Sequence, residues 1–313
     1  MTIKNAMTID VEDYYHVSAF ESVIPVNAWE RYESRVERNT MRLLDIFEAH
    51  NVKATFFVLG WVAERHPELV RTLAAQGHEV ASHGYSHRRI YTQTPAVFRE
   101  ETQRSKRLLE DCIGQPVRGY RAATYSITRQ SLWALDILEE VGFEYDSSIF
   151  PIRHDLYGIP DYPRFCHRLN HHPRLVEFPL STVKVGRMTL PIAGGGYFRL
   201  FPYALTRWGI RRLNYREQQP ATVYLHPWEI DPAQPRIAAG RLSRFRHYLN
   251  LSSTETRLRH LLQDIAFAPM AEVLQELELL TCDTPLVRTP RPQSPPSESR
   301  VIKAYEKHLE KRR

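Results

Sequence analysis

Pro67-Glu-Leu-Val-Arg-Thr-Leu-Ala-Ala-Gln-Gly-His-Glu-Val-Ala-Ser-His83-Gly-Tyr-Ser-His87 reads as one complete helix, turn and strand. Pro67 to Gln76 predicts a helix that Gly77 closes, and residues 78–82 predict a short strand that delivers His83 at its C-terminal end. His83 and His87 stand at i, i+4, a spacing that lets two imidazoles chelate one cation if the intervening residues turn helically. A carboxylate from elsewhere would complete a two-histidine, one-carboxylate set with positions left for water and substrate. Because the chain holds 14 histidines, the pair gains meaning only from its surroundings.

Outward from this unit the same alternation recurs. Upstream, Ala6 to Val11 predicts a first strand ending in the carboxylates Asp10, Glu12 and Asp13. Residues 39–50 predict a helix with Met41, Leu44, Ile46 and Phe47 near one face, and residues 54–59 a β-prone run ending at Gly60. Downstream come a helix over 95–113, a strand over 117–122, a helix over 130–141 stopped by Gly142, and a strand opening at Phe143 and ending at Asp146. Strands alternating with crossover helices predict an α/β fold, a distorted (β/α) barrel whose functional residues gather at the strand C-termini. Residues 152–191, rich in Pro, His and Arg, predict an irregular excursion, and Gly194 to Phe198 a mobile or tight loop. Thr222 to Leu225 predicts a late strand ending in His226; helices are expected over 242–251, 253–264 and 269–280. The expected organisation is a barrel over 1–235, a helical extension packed on it over 236–283, and a disordered tail over 284–313.

Composition narrows the function classes. A chain of 313 residues with 42% hydrophobic residues can bury a sizeable core. The formal charge of +6 is spread along the chain apart from arginine clusters at 207–216 and 236–246, which read as a solvated basic face. No nucleic-acid module accompanies the charge. Cys112, Cys166 and Cys282 are far apart and form no CxxC pair, so they read as reduced thiols. With neither a signal-peptide core nor a membrane-length apolar run in the sequence, the expected location is cytoplasmic.

Four segments occur in a fixed order: Thr8-Ile-Asp10-Val-Glu12-Asp13, Ser82-His83-Gly-Tyr-Ser-His87, Gly119-Tyr-Arg121-Ala-Ala-Thr-Tyr125 and Tyr224-Leu-His226-Pro-Trp228. In this order they resemble the polysaccharide deacetylases of the NodB-homology type, carbohydrate esterase family four, over about residues 6 to 230. The stretches Asp-Val-Glu-Asp-Tyr, Gly-Gly-Gly-Tyr-Phe-Arg, Leu-His-Pro-Trp-Glu and Gly-Arg-Leu-Ser-Arg-Phe-Arg are similar to the subgroup associated with exosortase/PEP-CTERM exopolysaccharide clusters, which carries a similar C-terminal extension. The resemblance implies removal of N-acetyl groups from amino sugars of an exopolysaccharide or its lipid-linked precursor. A divalent metal, zinc by default, would activate water and polarise the carbonyl, while side chains supply acid and base. Asp10 is expected as general base paired with Arg121, His226 as general acid, and His83 and His87 as metal ligands.

This chain departs from the family's adjacent Asp-Asp-Gly, so the carboxylate ligand is either Glu12 or Asp13; strand alternation favours Glu12. The usual proline after Arg121 is replaced by Ala122. Tyr125 would line the sugar cleft or sit in the core, Tyr197 would stack on a ring, and Trp228 would shape an acetyl pocket. Asp146 would orient His226 or cap a turn. The expected partner is a carbohydrate, with peripheral association with exopolysaccharide assembly machinery and no transmembrane segment. Deacetylation of a small amide and non-catalytic carbohydrate binding are the rival expectations.

Overall fold

In this computed structural model, residues 2–192 and 194–281 are described; the expected tail over 284–313 lies outside them. Residues Met1–Leu280 make one compact unit. Its elements in chain order are β1 (Asn5–Val11), α1 (Val36–Ala49), β2 (Thr55–Val58), α2 (Gly60–Arg65), α3 (Pro67–Ala75), β3 (Glu79–Ser82), α4 (Pro95–Ile113), β4 (Gly119–Tyr120), α5 (Trp133–Val141) and β5 (Tyr145–Asp146). There follow β6 (His167–Leu169), β7 (His172–Glu177), β8 (Thr182–Val185), β9 (Met188–Pro191), α6 (Gly195–Leu200), α7 (Tyr203–Arg212), β10 (Thr222–Leu225), α8 (Arg241–Tyr248), α9 (Leu251–Asp264), β11 (Phe267–Ala268) and α10 (Met270–Glu276).

The expected α/β barrel is present as a curled half-barrel with strand order β10-β1-β2-β3-β4-β5-β7-β6, parallel except for the edge strand β6. All seven residues of β1 are buried, as a strand covered on both faces requires. Met7, Ile9 and Val11 belong to the core packed under the helices, whereas Ala6 joins Phe57, Ala81, Tyr145 and Val176 on the inner face. Alternation then turns Thr8 and Asp10 inward as well, where both meet Arg121. The inner cluster continues into Met270, Val273 and Leu274 of α10, while β11 pairs with the start of β1. Side chains on alternate positions therefore face either helices or barrel interior, and the polar ones end at the strand C-termini.

Several expectations need correction. Residues 152–191 hold four strands, and Gly194 to Phe198 opens α6 instead of a loop. That helix can form because Gly194, at φ +127°, lies against Tyr224, where a Cβ would come within 2.0 Å of the carbonyl oxygen. Helix α1 starts at Val36, not 39, because a distant carboxylate, Asp13, accepts from its first amides. Met41 is partly exposed, and α2 and β11 carried no clear local signal. Cys112 and Cys166 are free thiols. Among the described residues no helix is long and apolar enough to cross a membrane.

Candidate active site

Glu12, His83 and His87 come together where β1 and β3 end, each offering a ligand atom within 4.8 Å of the others. Glu12 Oε2 lies 2.8 Å from His87 Nε2. That contact lacks hydrogen-bond alignment, so a fully buried carboxylate oxygen is left without a donor. His83 Nδ1 is engaged by the Arg121 carbonyl at 2.8 Å, which leaves its Nε2 for the cluster. An orphaned oxygen beside two imidazoles whose free nitrogens converge is a donor set suited to a divalent cation. A backbone carbonyl on the far nitrogen is also how metal-binding histidines are commonly oriented.

The two histidines do not meet through a helical turn, as their spacing suggested. Gly84 at φ +72° and His87 at φ +51° fold the segment back as a loop, bringing the ring centroids to 5.4 Å. Left-handed backbone at a histidine is unusual.

Asp13 sits apart from this cluster. Its Oδ2 accepts from the amides of Arg35 (2.6 Å) and Val36 (3.0 Å) and from Ser34 Oγ (3.1 Å), and Oδ1 from the Tyr14 amide. Oδ2 is thus engaged at the start of α1, as a cap would be, and Oδ1 at the residue after Asp13 itself. The neighbouring loop is held by His16, whose Nδ1 accepts from the Asp13 amide and whose ring packs on Tyr15, Trp29 and Trp61. Burial pushes the His16 imidazole down to about 3.

Asp10 is bound by two donors, Arg121 Nη1 at 2.7 Å and Tyr125 Oη at 3.2 Å. Arg121 is completely buried yet fully engaged, donating also to Thr8 Oγ1, the Ser147 carbonyl and Ser147 Oγ, with its guanidinium 4.1 Å over the Phe57 ring. A buried charge is tolerable only with such pairing. Thr124 and Tyr125 both adopt positive φ, which turns the Tyr125 hydroxyl to Asp10.

His226 ends β10 with Nε2 at 3.9 Å from Asp10 Oδ2 and 3.5 Å from Glu12 Oε1. Its ring stacks on Trp228 at 5.1 Å, and Trp228 Nε1 donates to Glu12 Oε1 at 3.2 Å. Burial lowers the His226 value, but Glu12, Glu229 and Asp10 outweigh it and raise the imidazole to about 9. The Glu12 carboxyl is pushed up by burial and held below its ordinary range by His87 and His226. Burial takes His83 down to about 4. The arrangement thus brings a histidine whose imidazole is raised by its acidic neighbours to within 3.9 Å of a fixed carboxylate and of the cation site's Glu12.

Two participants escaped the sequence reading. Glu229 accepts from the His226 amide and lies 3.3 Å from its Nδ1, and Arg199 donates to Glu229 Oε1 at 2.7 Å. Glu229 follows His226 by three residues with Pro227 between, a capping-box spacing that could have revealed it. Arg199 lies 30 residues from Glu229 with no local signal. Asp146 does not reach His226; it accepts from Ser148 and pairs with Glu177. Tyr197 is half-buried on α6, edge-on to Phe150, and lines a cavity of about 360 Å3 with Pro151, Arg153 and Phe201.

Comparison with known proteins bears on the same segments. Residues 29–145 match the family model Polysaccharide deacetylase, and residues 147–275 match a domain of unknown function, DUF3473. A chitooligosaccharide deacetylase of Bradyrhizobium is 34% identical over 99 residues, 32% of this chain and 43% of that protein. A peptidoglycan-N-acetylglucosamine deacetylase of Bacillus cereus is 33% identical over 98 residues, 31% of this chain and 36% of that one. The matched segment thus spans less than half the length of these relatives. A Mycobacterium smegmatis protein described as a polysaccharide deacetylase shares the fold, with a TM-score of 0.56 at 24% identity, over 90% of this chain and 94% of that one. Puue allantoinase aligns with a TM-score of 0.56 at 16% identity, over 90% and 92%.

Proposed function

From the support that residues 29–145 and these relatives give to the polysaccharide deacetylase family, we propose that this protein is a metal-dependent hydrolase that removes N-acetyl groups from amino sugars. The observation that carries the reading is the orphaned Glu12 oxygen between His83 and His87, with Asp10 and His226 beside it. Glu12, His83 and His87 would hold the metal, with Asp13 left to its cap. Zinc suits an imidazole-rich set with one carboxylate. When bound, it would lower the pKa of water and polarise the acetyl carbonyl.

The rest of the chemistry belongs to the chain's own groups. Asp10 takes the proton of the attacking water, its orientation set by Arg121 and Tyr125. His226, its imidazole raised by Glu12, Glu229 and Asp10, gives a proton to the departing amine nitrogen. Trp228 holds the His226 ring plane and supplies an apolar wall for the acetyl methyl, and Tyr197 stacks on a neighbouring sugar. The substrate is an exopolysaccharide or its precursor, as the subgroup resemblance implies.

Metal analysis of the purified protein, coupled to acetate release from N-acetylglucosamine oligomers, tests the reading. Stoichiometric divalent metal is expected, with acetate release lost on chelation and restored by zinc. Protein that holds no metal and releases no acetate would overturn it.

A further inference from the structure

Beside the mouth of this site the chain places a short helix with an unusual outer face. Helix α8 is tied to the site from within: His247 stacks on Trp228 at 4.1 Å, and Arg199, which holds Glu229, donates to the carbonyls of Arg246, His247 and Leu249. Its outward side carries Leu242 at 61% and Phe245 at 56% exposure, three residues apart and so on one face. Phe20 packs on His247 and Tyr248 from within.

The segment that carries these residues has charge of one sign. Between Asp231 and Glu255 the sequence has no acidic residue but four arginines, Arg236, Arg241, Arg244 and Arg246. Arg246 faces Asp155 at 3.7 Å and Arg236 covers the Tyr248 ring. Among the described residues Arg241 and Arg244 have no ion-pair partner. Leucine and phenylalanine standing out of the surface, with Arg241 and Arg244 beside them in the same helix, match the interface of an anionic bilayer, where apolar groups enter the acyl boundary and cations meet headgroups.

We propose that α8 with its flanking turn is a docking surface for anionic phospholipid membrane, which sets the open end of the barrel at the bilayer. The proposal goes beyond the deacetylase reading and does not depend on it, because the face and its charge stand whatever reaction the site performs.

Vesicle cosedimentation of the full chain tests it, with phosphatidylcholine alone and with added phosphatidylglycerol, at low and at high salt. Binding is expected only with the anionic lipid and weakened by salt. R241E/R244E should lower partitioning by about 30-fold or more, given the known contribution of each surface cation. R241K/R244K should retain binding, and L242D/F245D should abolish it. Circular dichroism and the thermal midpoint of each variant confirm folding, and the conservative pair separates lost charge from lost structure. Absence of binding to anionic vesicles overturns the proposal, as does binding that both charge-reversed and apolar-deleted variants retain. Binding through these same residues to a soluble acidic polysaccharide, without vesicle binding, also overturns it. Acetate release is a separate readout, so failure of the docking and failure of the deacetylase reading are distinguishable.

Discussion

Glu229 bridges two chain segments: Oε2 lies 3.3 Å from His226 Nδ1, and Oε1 accepts from Arg199 Nε at 2.7 Å. Glu229 and its Arg199 partner are buried. Burial pushes the Glu229 carboxyl up, but Arg199 and His226 hold it down at about 2, so it stays ionised and favours the imidazolium.

Glu229→Gln keeps the shape and removes the charge. Since Glu229 raises the His226 value, its loss moves the alkaline limb of kcat/KM to lower pH. A pH profile of acetate release against wild type checks this, and an unmoved limb would separate Glu229 from the acid.

Asp10→Asn leaves the cation donors untouched. The expected result is a fall in kcat of about 10²–10⁴ with metal content unchanged. Turnover near the wild-type rate would remove Asp10 from the base role.

Glu12→Gln and Asp13→Asn separate the two carboxylates. Partners outside the ligand set commonly cost about 10–100-fold in affinity, so losing the Glu12 ligand should cost at least the upper end of that range. Asp13→Asn should keep the metal and lose about 1–2 kcal/mol of stability, because four hydrogen bonds to a carboxylate cap are weakened. Titration calorimetry with zinc and thermal unfolding read the two effects independently.

Asp146 and Glu177 form a second buried carboxyl pair, away from the proposed chemistry. Burial raises Asp146 to about 6 and Glu177 well above its ordinary value, and one oxygen of each lacks a donor. The native state therefore keeps protons that the unfolded chain releases, and stability falls as pH rises from about 4 through 6. Asp146→Asn relieves the repulsion: it should gain about 1–3 kcal/mol over wild type at neutral pH and nothing near pH 4. Thermal midpoints at the two pH values decide it.

The sequence by itself determined the alternation of helices and strands, because periodicity and glycine stops act locally, and it placed Asp10, His83, Arg121 and His226 at strand ends. Alternation along β1 already favoured Glu12 over Asp13. Local rules could not extend to the loop after β3, where left-handed Gly84 and His87, instead of a helical turn, bring the imidazoles together. Nor could they show that Asp13 is occupied by amides at 35 and 36, or that Arg199 reaches Glu229 and α8. Those contacts join residues more than 20 positions apart, and only chain closure sets which donors meet a buried acceptor. The strands of 152–191 belong with them, since an edge strand is defined by its neighbour and not by its own composition.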